Sequence, residues 1–308
     1  MRSLKYLVVL AMLGLAILVA AACSKHANQA KFTSPEEAAV ALHQALKAEI
    51  PEKLQAIFGR EWMEAAGSGD PVSDQHDREV VALAMEQPWH WEPAGENTQQ
   101  LIIGDEHWPF PVPLVKVGNE WQFDSEEGKE EILARRIGRN ELRIIDVCRG
   151  YAEMQREYAS EPHDGKPAGL FAQRFRSSPG RQDGLYWQKK HGEKRSPLDE
   201  LVAAAVAEGY DLNKSESTPF YGYYIRMLTA QGPVAPGGKK SYIMNGDMSG
   251  GFALLAYPAK YASSGVMTFV VGPDGVVYQK DLGQATATQA LRLQEYNPDE
   301  SWTAVRAP

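Results

Sequence analysis

In this chain of 308 residues, the histidines and carboxylates that could bind a metal ion are not spaced as in known metal sites. None of the seven histidines pairs with another at the three- or four-residue helical spacing that zinc enzymes use. The run Asp105-Glu106-His107 offers three potential ligands, but neighbouring residues on a strand point to opposite faces and cannot converge on one ion. We therefore expect an exposed polar turn there, and the sequence predicts no metal site.

Sequence motifs for cofactors and nucleophiles give no assignment either. The chain has no Gly-x-Ser-x-Gly elbow, Walker-type loop or dinucleotide fingerprint, so no cofactor is expected. Ser249-Gly250-Gly251 follows Asn245-Gly246-Asp247, and a serine beside glycines near an aspartate could form a nucleophile and an oxyanion loop. Turn geometry before a strand explains these glycines better, and the catalytic residues stay unknown.

The two cysteines, Cys23 and Cys148, cannot build a disulfide scaffold or a cysteine-only zinc site. Cys148 lies in a stretch with helical periodicity, which favours a buried and inert thiol over a reactive one. Cys23 follows a segment of a different kind.

Residues 1–22 have the pattern of an export signal. Arg2 and Lys5 precede an apolar run at 6–22, and small residues end it. The run is slightly short for a spanning helix, which needs about 20 apolar residues. The pattern therefore predicts a signal peptide and a folded body that works outside the cytoplasm.

The end of this segment, Val-Ala-Ala-Ala followed by Cys23, resembles a bacterial lipobox, with Ala20 where the pattern prefers leucine. The resemblance implies cleavage before Cys23 and lipidation of that cysteine. Ser24 stands where a retention signal for the inner membrane usually has aspartate, which points to the outer membrane. Two alternatives stay open, namely ordinary cleavage that releases a soluble periplasmic protein and an uncleaved single anchor. Residues 23–32 would form a tether.

Charge narrows the class of partner. The chain has 32 basic and 40 acidic residues, and loss of Arg2 and Lys5 with the leader would make its net charge more negative, from −8 to −10. Because an acidic surface repels phosphate backbones, a nucleic-acid partner is not expected.

Residues 33–137 are predicted to form an N-terminal α+β domain. Ser34-Pro35-Glu36-Glu37 has the capping serine, first-turn proline and glutamate of a helix start. Gly118-Asn119 suits a two-residue hairpin turn. The other predicted elements are helices at 51–58 and 77–87 and strands at 99–103, 112–117 and 120–123.

Residues 138–308 are predicted to form a second α+β domain, in which a long helix packs on an antiparallel sheet. A helix over 126–137 should end at Gly138, and an amphipathic helix should follow over 140–159. A loop insertion at 162–219 holds one helix capped by Ser196, and such insertions often carry function. Five strands are predicted, at 221–228, 241–244, 251–257, 266–271 and 276–280, the last two joined by a turn containing Asp274-Gly275.

Aromatic residues gather at Tyr186, Trp187, Tyr221 and Tyr223. Tyr221 and Tyr223 would share one strand face, and such a surface suits the binding of a sugar or a protein. These four residues are the candidate interface. Core packing explains the same residues and is the favoured interpretation.

Several phrases carry a family resemblance: residues 32–37, Trp-Pro-Phe-Pro-Val-Pro-Leu at 108–114, residues 135–142, Tyr-Ile-Arg-Met-Leu-Thr-Ala-Gln-Gly at 224–232, and residues 265–281. Together they resemble the exported bacterial family catalogued as domain of unknown function 2950, which implies no reaction, cofactor or catalytic residue. The order of long helix, loop and antiparallel sheet is also similar to the globular part of pilins and pseudopilins. That second resemblance implies a fold only, since the helix here is internal and charged.

Two function classes follow from these observations. The first is a non-catalytic envelope lipoprotein that acts as a binding or assembly module in the periplasm. Its lipid would hold it to the membrane, and its partner would be an envelope protein or glycan. The alternative is an envelope hydrolase of unfamiliar type with a site between the two domains.

Overall fold

The computed structural model describes residues 29–306 apart from positions 49, 61, 63–66, 69, 190–193 and 208–217. The predicted signal peptide and Cys23 lie outside the described residues. The chain forms two compact units, one up to Ala66 together with Arg78–Ile132, the other made of Gly67–Asp77 and Leu133 onward. The predicted limits of the two domains stay a prediction, because compact packing does not establish independent folding.

The first unit combines helices with a five-stranded antiparallel sheet. The elements are α1 (Pro35–Lys47), α2 (Pro51–Phe58), β1 (Trp89–Gly95), β2 (Thr98–Ile103), β3 (Trp108–Pro109), β4 (Leu114–Val117) and β5 (Glu120–Phe123). The strand order is β1-β2-β4-β5, with β3 paired to β2. Its core includes Leu42, Phe58, Leu101, Leu114 and Phe123.

The first two helices start where the sequence predicts. Ser34 Oγ accepts a hydrogen bond from the Glu37 amide at 3.2 Å, and the Glu37 carboxylate accepts one from the Thr33 amide at 2.7 Å. Helix α2 begins at Pro51 and ends before Gly59, whose φ of 88° favours glycine. A capping box at Ser34 and a first-turn proline in each helix are therefore sufficient to place these helices.

The third helix begins earlier than predicted. Helix α3 spans Pro71–Ala84, and Asp70 caps it by accepting from the amides of Val72 and Ser73 at 3.2 and 3.3 Å. The predicted start at Asp77 is wrong, because the acidic cap and proline at 70–71 satisfy the first amides one and a half turns sooner.

Strand β1 was not predicted, because Pro93 and Gly95 both argue against a strand interior. The strand tolerates them because it is the edge of its sheet and pairs with β2 alone. Its register shifts between Pro93 and Gly95, as expected where a proline cannot donate to the ladder.

The second unit contains a longer helix and a second five-stranded antiparallel sheet, of order β14-β13-β12-β11-β6. Its helices are α4 (Ser125–Ala159), α5 (Asp199–Ala207) and α6 (Thr286–Arg292), and the boundaries between units fall inside α3 and α4. The sheet consists of β6 (Tyr223–Leu228), β11 (Ala253–Pro258), β12 (Met267–Val271), β13 (Val277–Asp281) and β14 (Thr303–Ala304). Two small hairpins pair β7 (Ala230–Gln231) with β8 (Lys240–Ser241) and β9 (Ile243–Met244) with β10 (Asp247–Met248).

Both predicted hairpin turns are confirmed. Val117 pairs with Glu120 across Gly118, which has a φ of 65°. Val271 pairs with Val277 across the second turn, where Gly275 has a φ of 77°. Glycine is favoured at both positions because a Cβ atom disfavours this left-handed backbone.

The predicted break at Gly138 is wrong, because Gly138 lies inside α4, a continuous helix of 35 residues. Gly138 is exposed, and a Cβ built there would meet nothing within 4 Å. A glycine inside a helix costs only about 1 kcal/mol relative to alanine, which packing along the rest of α4 offsets.

Helix α4 packs on the sheet within the second unit. Ile144, Cys148 and Tyr151 are buried together with Phe252 and Phe269 in one apolar cluster. The Tyr151 hydroxyl donates to the Ala253 carbonyl of β11 at 3.3 Å. The predicted α+β class is confirmed, and none of the described helices is long and apolar enough to cross a membrane.

Helix α6 and strand β14 lie in the C-terminal stretch, where the sequence shows little periodicity. Helix α6 has only seven residues, and its buried positions are Thr286 and Ala290. One buried pair gives too weak an amphipathic pattern to predict a helix. Trp302 packs against the core of this unit, as predicted.

Candidate functional site

Three of the four candidate interface residues lie in the core of the second unit. Trp187 is 7% exposed, Tyr221 6% and Tyr223 0%, whereas Tyr186 is half-buried. Tyr221 precedes β6 with a φ of 50°, so it does not share a strand face with Tyr223. Core packing, the favoured interpretation, therefore describes these three side chains.

Both the ring and the hydroxyl of Tyr223 are accommodated in the core of the second unit. Its ring lies 5.9 Å from that of Phe269, and its hydroxyl donates to the Met267 carbonyl at 3.1 Å. A Cβ at Gly265 would stand 2.0 Å from the Tyr223 hydroxyl oxygen, so the tyrosine occupies the space that this glycine leaves.

The structure buries Cys148 and exposes the predicted polar turn Asp105-Glu106-His107. Cys148 is a buried free thiol, and burial raises its pKa to about 12, which keeps it protonated and unreactive at neutral pH. Asp105-Glu106-His107 lies on an exposed turn, where the imidazole Nδ1 is 2.9 Å from the Asp105 carbonyl. Within the described ranges no group of three His, Cys, Asp or Glu residues could hold a metal ion.

The glycines after Ser249 serve packing. A Cβ at Gly250 would stand 2.6 Å from the Ser241 carbonyl oxygen, and one at Gly251 would stand 2.7 Å from the Tyr242 ring. Nearby Asp247 forms an ion pair with Lys166. Close approach of neighbouring groups thus accounts for a motif that resembles a nucleophile loop.

A basic surface emerges instead from the segment after α4. Residues 162–189 contain five Lys or Arg and two Asp, a local net charge of +3 in a chain whose net charge is −8. We call residues 174–189 the arginine loop. Its cationic side chains are all exposed: Arg174, Arg176, Arg181 and Lys189.

The tip of the arginine loop is a tight turn at Ser178-Pro179-Gly180-Arg181. The Arg181 amide donates to the Ser178 carbonyl at 2.9 Å, and Gly180 has a φ of 76°. Proline followed by glycine is the dipeptide that a type II turn requires. The sequence itself therefore fixes where the loop reverses.

Backbone hydrogen bonds join the two arms of the arginine loop. The Ser177 amide donates to the Tyr186 carbonyl at 2.8 Å, and the Leu185 amide donates to the Arg174 carbonyl at 3.1 Å. The arms approach so closely that a Cβ at Gly184 would stand 2.8 Å from the backbone of both Arg176 and Ser177. Glycine at 184 is thus a steric requirement of the loop.

Asp183 organises the charged side chains of the loop. Its carboxylate accepts from the amide and hydroxyl of Ser178 at 2.7 and 3.0 Å, and lies 3.8 Å from Arg174 and 3.9 Å from Arg181. Burial alone would raise the pKa of Asp183, but the Ser178 hydrogen bonds and the two arginines outweigh it and hold the pKa below its ordinary value.

Asp164 makes a second such junction beside it. Its carboxylate accepts from the Gln182 amide at 2.9 Å and from Arg181 Nε at 3.3 Å. The arginines therefore project from a frame of backbone and carboxylate contacts, and both Arg174 and Arg181 keep about half of their side chains exposed, 51% and 54%.

Two cavities adjoin at this loop. The first, the polar pocket, has a volume of about 50 Å³ and is lined by residues that include Tyr158, His163, Asp164, Lys166, Arg181 and Asp247. The second, the cationic groove, is an open depression lined by residues that include Arg174, Arg176, Arg181, Tyr186, Trp187 and Lys189. Asp164 and Arg181 line both, so the two cavities lie side by side.

His163 has a structural role in the polar pocket. Its ring stacks on Tyr158 at 4.0 Å, Nε2 lies 2.9 Å from the Tyr158 carbonyl, and Nδ1 lies 3.3 Å from Gln182 Oε1. The Tyr158 hydroxyl donates to the Gln182 carbonyl at 2.7 Å, and burial raises its pKa to about 12. Both imidazole nitrogens thus lie within hydrogen-bonding distance of oxygen atoms in the frame of the loop, and the ring helps to hold that frame.

Sequence reasoning placed the loop insertion at 162–219 but assigned the interface to aromatic residues. The signal that identifies the arginine loop is present in the sequence, as a basic segment in an acidic chain with a Pro-Gly turn at its centre. Sequence alone does not show that Asp183, Gly184 and Ser177 fix the arms of this loop, since those contacts are tertiary.

Comparison with known proteins gives one match. A family model described as Protein of unknown function (DUF2950) matches residues 29–305. No curated protein and no solved structure matches the chain. The predicted family is confirmed, whereas no match supports the pilin-like resemblance.

Proposed function

The chain belongs to the DUF2950 family, and because that family carries no assigned activity, we propose a function from the chain's own residues. It is a non-catalytic binding module of the bacterial envelope, and the arginine loop is its binding surface. The proposed binding surface is thus the charged arginine loop and not the aromatic cluster that the sequence suggested.

The exposed and organised cations of the loop carry this proposal. Arg174 and Arg181 are held by Asp183 and Asp164 within a hydrogen-bonded frame, yet about half of each side chain faces solvent. Side chains held in place before binding lose less conformational entropy when a ligand arrives. An exposed basic cluster on an acidic protein also attracts and orients an oppositely charged partner.

The N-terminal segment supports the location. Charge at Arg2 and Lys5, an apolar run and Cys23 together have the pattern of a lipoprotein leader. Acyl chains on Cys23 would contribute about 0.8 kcal/mol per buried CH₂, enough for firm anchoring with more than one chain. The folded body would then work on the periplasmic side of the outer membrane.

The experiment combines fractionation with capture. Wild-type protein expressed with its leader should label with a fatty-acid probe and sediment with outer membranes, and Cys23→Ser should remove both properties. Crosslinking in intact envelopes should join the wild type to a reproducible envelope component, and Arg176→Gln/Arg181→Gln should reduce that yield several-fold. Unchanged labelling of Cys23→Ser would contradict the anchor, and an unchanged crosslink yield in the arginine variant would contradict the binding surface.

A further inference from the structure

We propose that the polar pocket and the cationic groove bind a glycan that carries acidic groups, either carboxylates or phosphates. This inference rests on the proposed function and deepens it by naming the ligand chemistry. It follows from the combination of donors, acceptors and a ring surface in two neighbouring cavities.

The cationic end of the surface selects for anionic groups. Arg174, Arg176, Arg181 and Lys189 all line the groove, against one lining carboxylate, that of Asp164. A guanidinium presents several N–H donors in a plane that matches a carboxylate or phosphate. Attraction by four cations would bring an acidic group into the groove even though the whole chain has a net charge of −8.

The pocket end selects for hydroxyl groups. Three carboxylates line it, from Asp164, Asp183 and Asp247, and they outnumber its two cations, Lys166 and Arg181. Carboxylates accept hydrogen bonds and repel anions, so this end suits the hydroxyls of a sugar and disfavours a second acidic group. A ligand that is anionic at one end and rich in hydroxyls at the other matches the whole surface.

Aromatic rings also line the groove. Tyr186 is half-buried there, whereas Trp187 is buried together with its indole Nε1. An amphipathic ring such as that of Tyr186 provides an apolar surface for the C–H face of a sugar and a polar edge for its oxygens.

An acidic peptide or a nucleic acid fits the surface less well. Either would bring an anionic group about every residue or nucleotide, and the pocket, where three carboxylates outnumber two cations, would oppose the second and later groups. A glycan can alternate acidic and neutral units, which fits a surface whose charge changes sign along its length.

The test uses one sugar backbone with different substituents. Binding of neutral dextran, carboxymethyl-dextran and phosphorylated dextran to the soluble body starting at residue 24 is measured by titration calorimetry at about 50 and 300 mM NaCl. We expect both acidic dextrans to bind at least tenfold more tightly than neutral dextran, and the tighter of the two identifies the source of the charge. Higher salt should weaken the binding without abolishing it, because screening acts on the charges and not on the hydroxyl contacts.

Two sets of variants separate site binding from general charge attraction. Arg176→Gln/Arg181→Gln/Lys189→Gln should lower the affinity for the acidic dextrans at least tenfold. Lys53→Gln/Lys260→Gln/Arg292→Gln removes the same charge at exposed positions outside both cavities and should change the affinity less than twofold. Circular dichroism of both triple variants establishes that they fold.

The remaining outcomes overturn the inference. Equal losses in both triple variants would indicate diffuse attraction with no site. Polyglutamate binding as tightly as the acidic dextrans would assign the surface to an acidic protein. If no dextran binds while the envelope crosslink persists, the glycan inference fails and the binding role stands. If the crosslink is also absent, both fail.

Discussion

The sheet core and the arginine loop of the second unit are stabilised by different physics. Phe269 in β12 is inaccessible to solvent and packs against other apolar side chains. The arginine loop has few fully buried side chains and is held by hydrogen bonds, a Pro-Gly turn and the Asp183 carboxylate. Apolar burial stabilises without orienting charged groups, whereas the loop's hydrogen bonds fix the positions of arginines that stay in water.

Because of this difference, substitutions in the two regions should affect different properties of the protein. Changes in the core should alter the free energy of unfolding of the unit, because many contacts are lost together. Changes in the loop should alter local order and binding with smaller effects on global stability, because exposed segments can open without unfolding the core.

Truncation in the sheet should have the largest effect. Phe269→Ala removes a fully buried ring, and we expect a loss of about 3–5 kcal/mol in the free energy of unfolding. Urea denaturation followed by near-UV circular dichroism measures it. Val276→Ala, at a side chain that is 38% exposed on the same hairpin, is the control and should cost well below half of that. Similar losses for both would contradict the assignment of Phe269 to the core.

A methyl group at Gly184 should disrupt the arginine loop selectively. Gly184→Ala places a Cβ 2.8 Å from two backbone atoms of the opposite arm, so the arms must separate. We expect trypsin to cleave after Arg174, Arg176 or Arg181 at least fivefold faster, while global unfolding shifts by about 1–2 kcal/mol. Gln188→Ala, an exposed position of the same loop, should leave the cleavage rate unchanged. Resistance of Gly184→Ala to trypsin would show that the loop does not depend on this close approach.

Loss of the Asp183 charge should weaken the loop in a pH-dependent manner. The pKa of Asp183 is depressed in the folded state, so its stabilisation is present above the unfolded pKa of about 3.9 and is lost as pH falls through the lower folded pKa. Asp183→Asn should therefore cost about 1 kcal/mol at pH 6.5 and less near pH 2.5. Thermal unfolding of the wild type and the variant at both pH values measures the difference. Asp105→Asn, on an exposed turn, is the matched control, and an equal response there would mean that Asp183 has no special role.

The smallest effect should be a gain on helix α4. Gly138→Ala meets no atom within 4 Å and should stabilise the helix by about 0.5–1 kcal/mol, because alanine has the higher helix propensity. Chemical denaturation measures the gain. A loss of stability would indicate that the helix is interrupted at Gly138, as the sequence predicts.

Local sequence signals predicted those elements that local chemistry specifies. The capping box at Ser34, the start at Pro51 and the hairpin glycines 118 and 275 satisfy backbone groups within a few residues, so short patterns suffice. Prediction failed where packing over a longer range decides. The alternatives at Gly138 were a stop or an exposed helical position, and only the continuing contacts of α4 distinguish them.

The candidate site divides in the same way. The loop insertion and its basic composition are properties of the sequence, as is the Pro-Gly turn. The sequence left two alternatives for Tyr221, Tyr223 and Trp187, a binding interface and the favoured core packing, and three-dimensional packing placed these rings in the core.

The sequence by itself determined the α+β class, the first helices, the hairpin turns and the family, because each depends on residue types at short spacing. The tertiary structure decided which side chains meet water. It buried the aromatic residues and left the arginines exposed on a frame held by Asp164 and Asp183. Periodicity in the sequence indicates burial within helix α4, as at Cys148, but the exposure of the loop side chains depends on residues far apart in the chain and is decided by the whole packed unit.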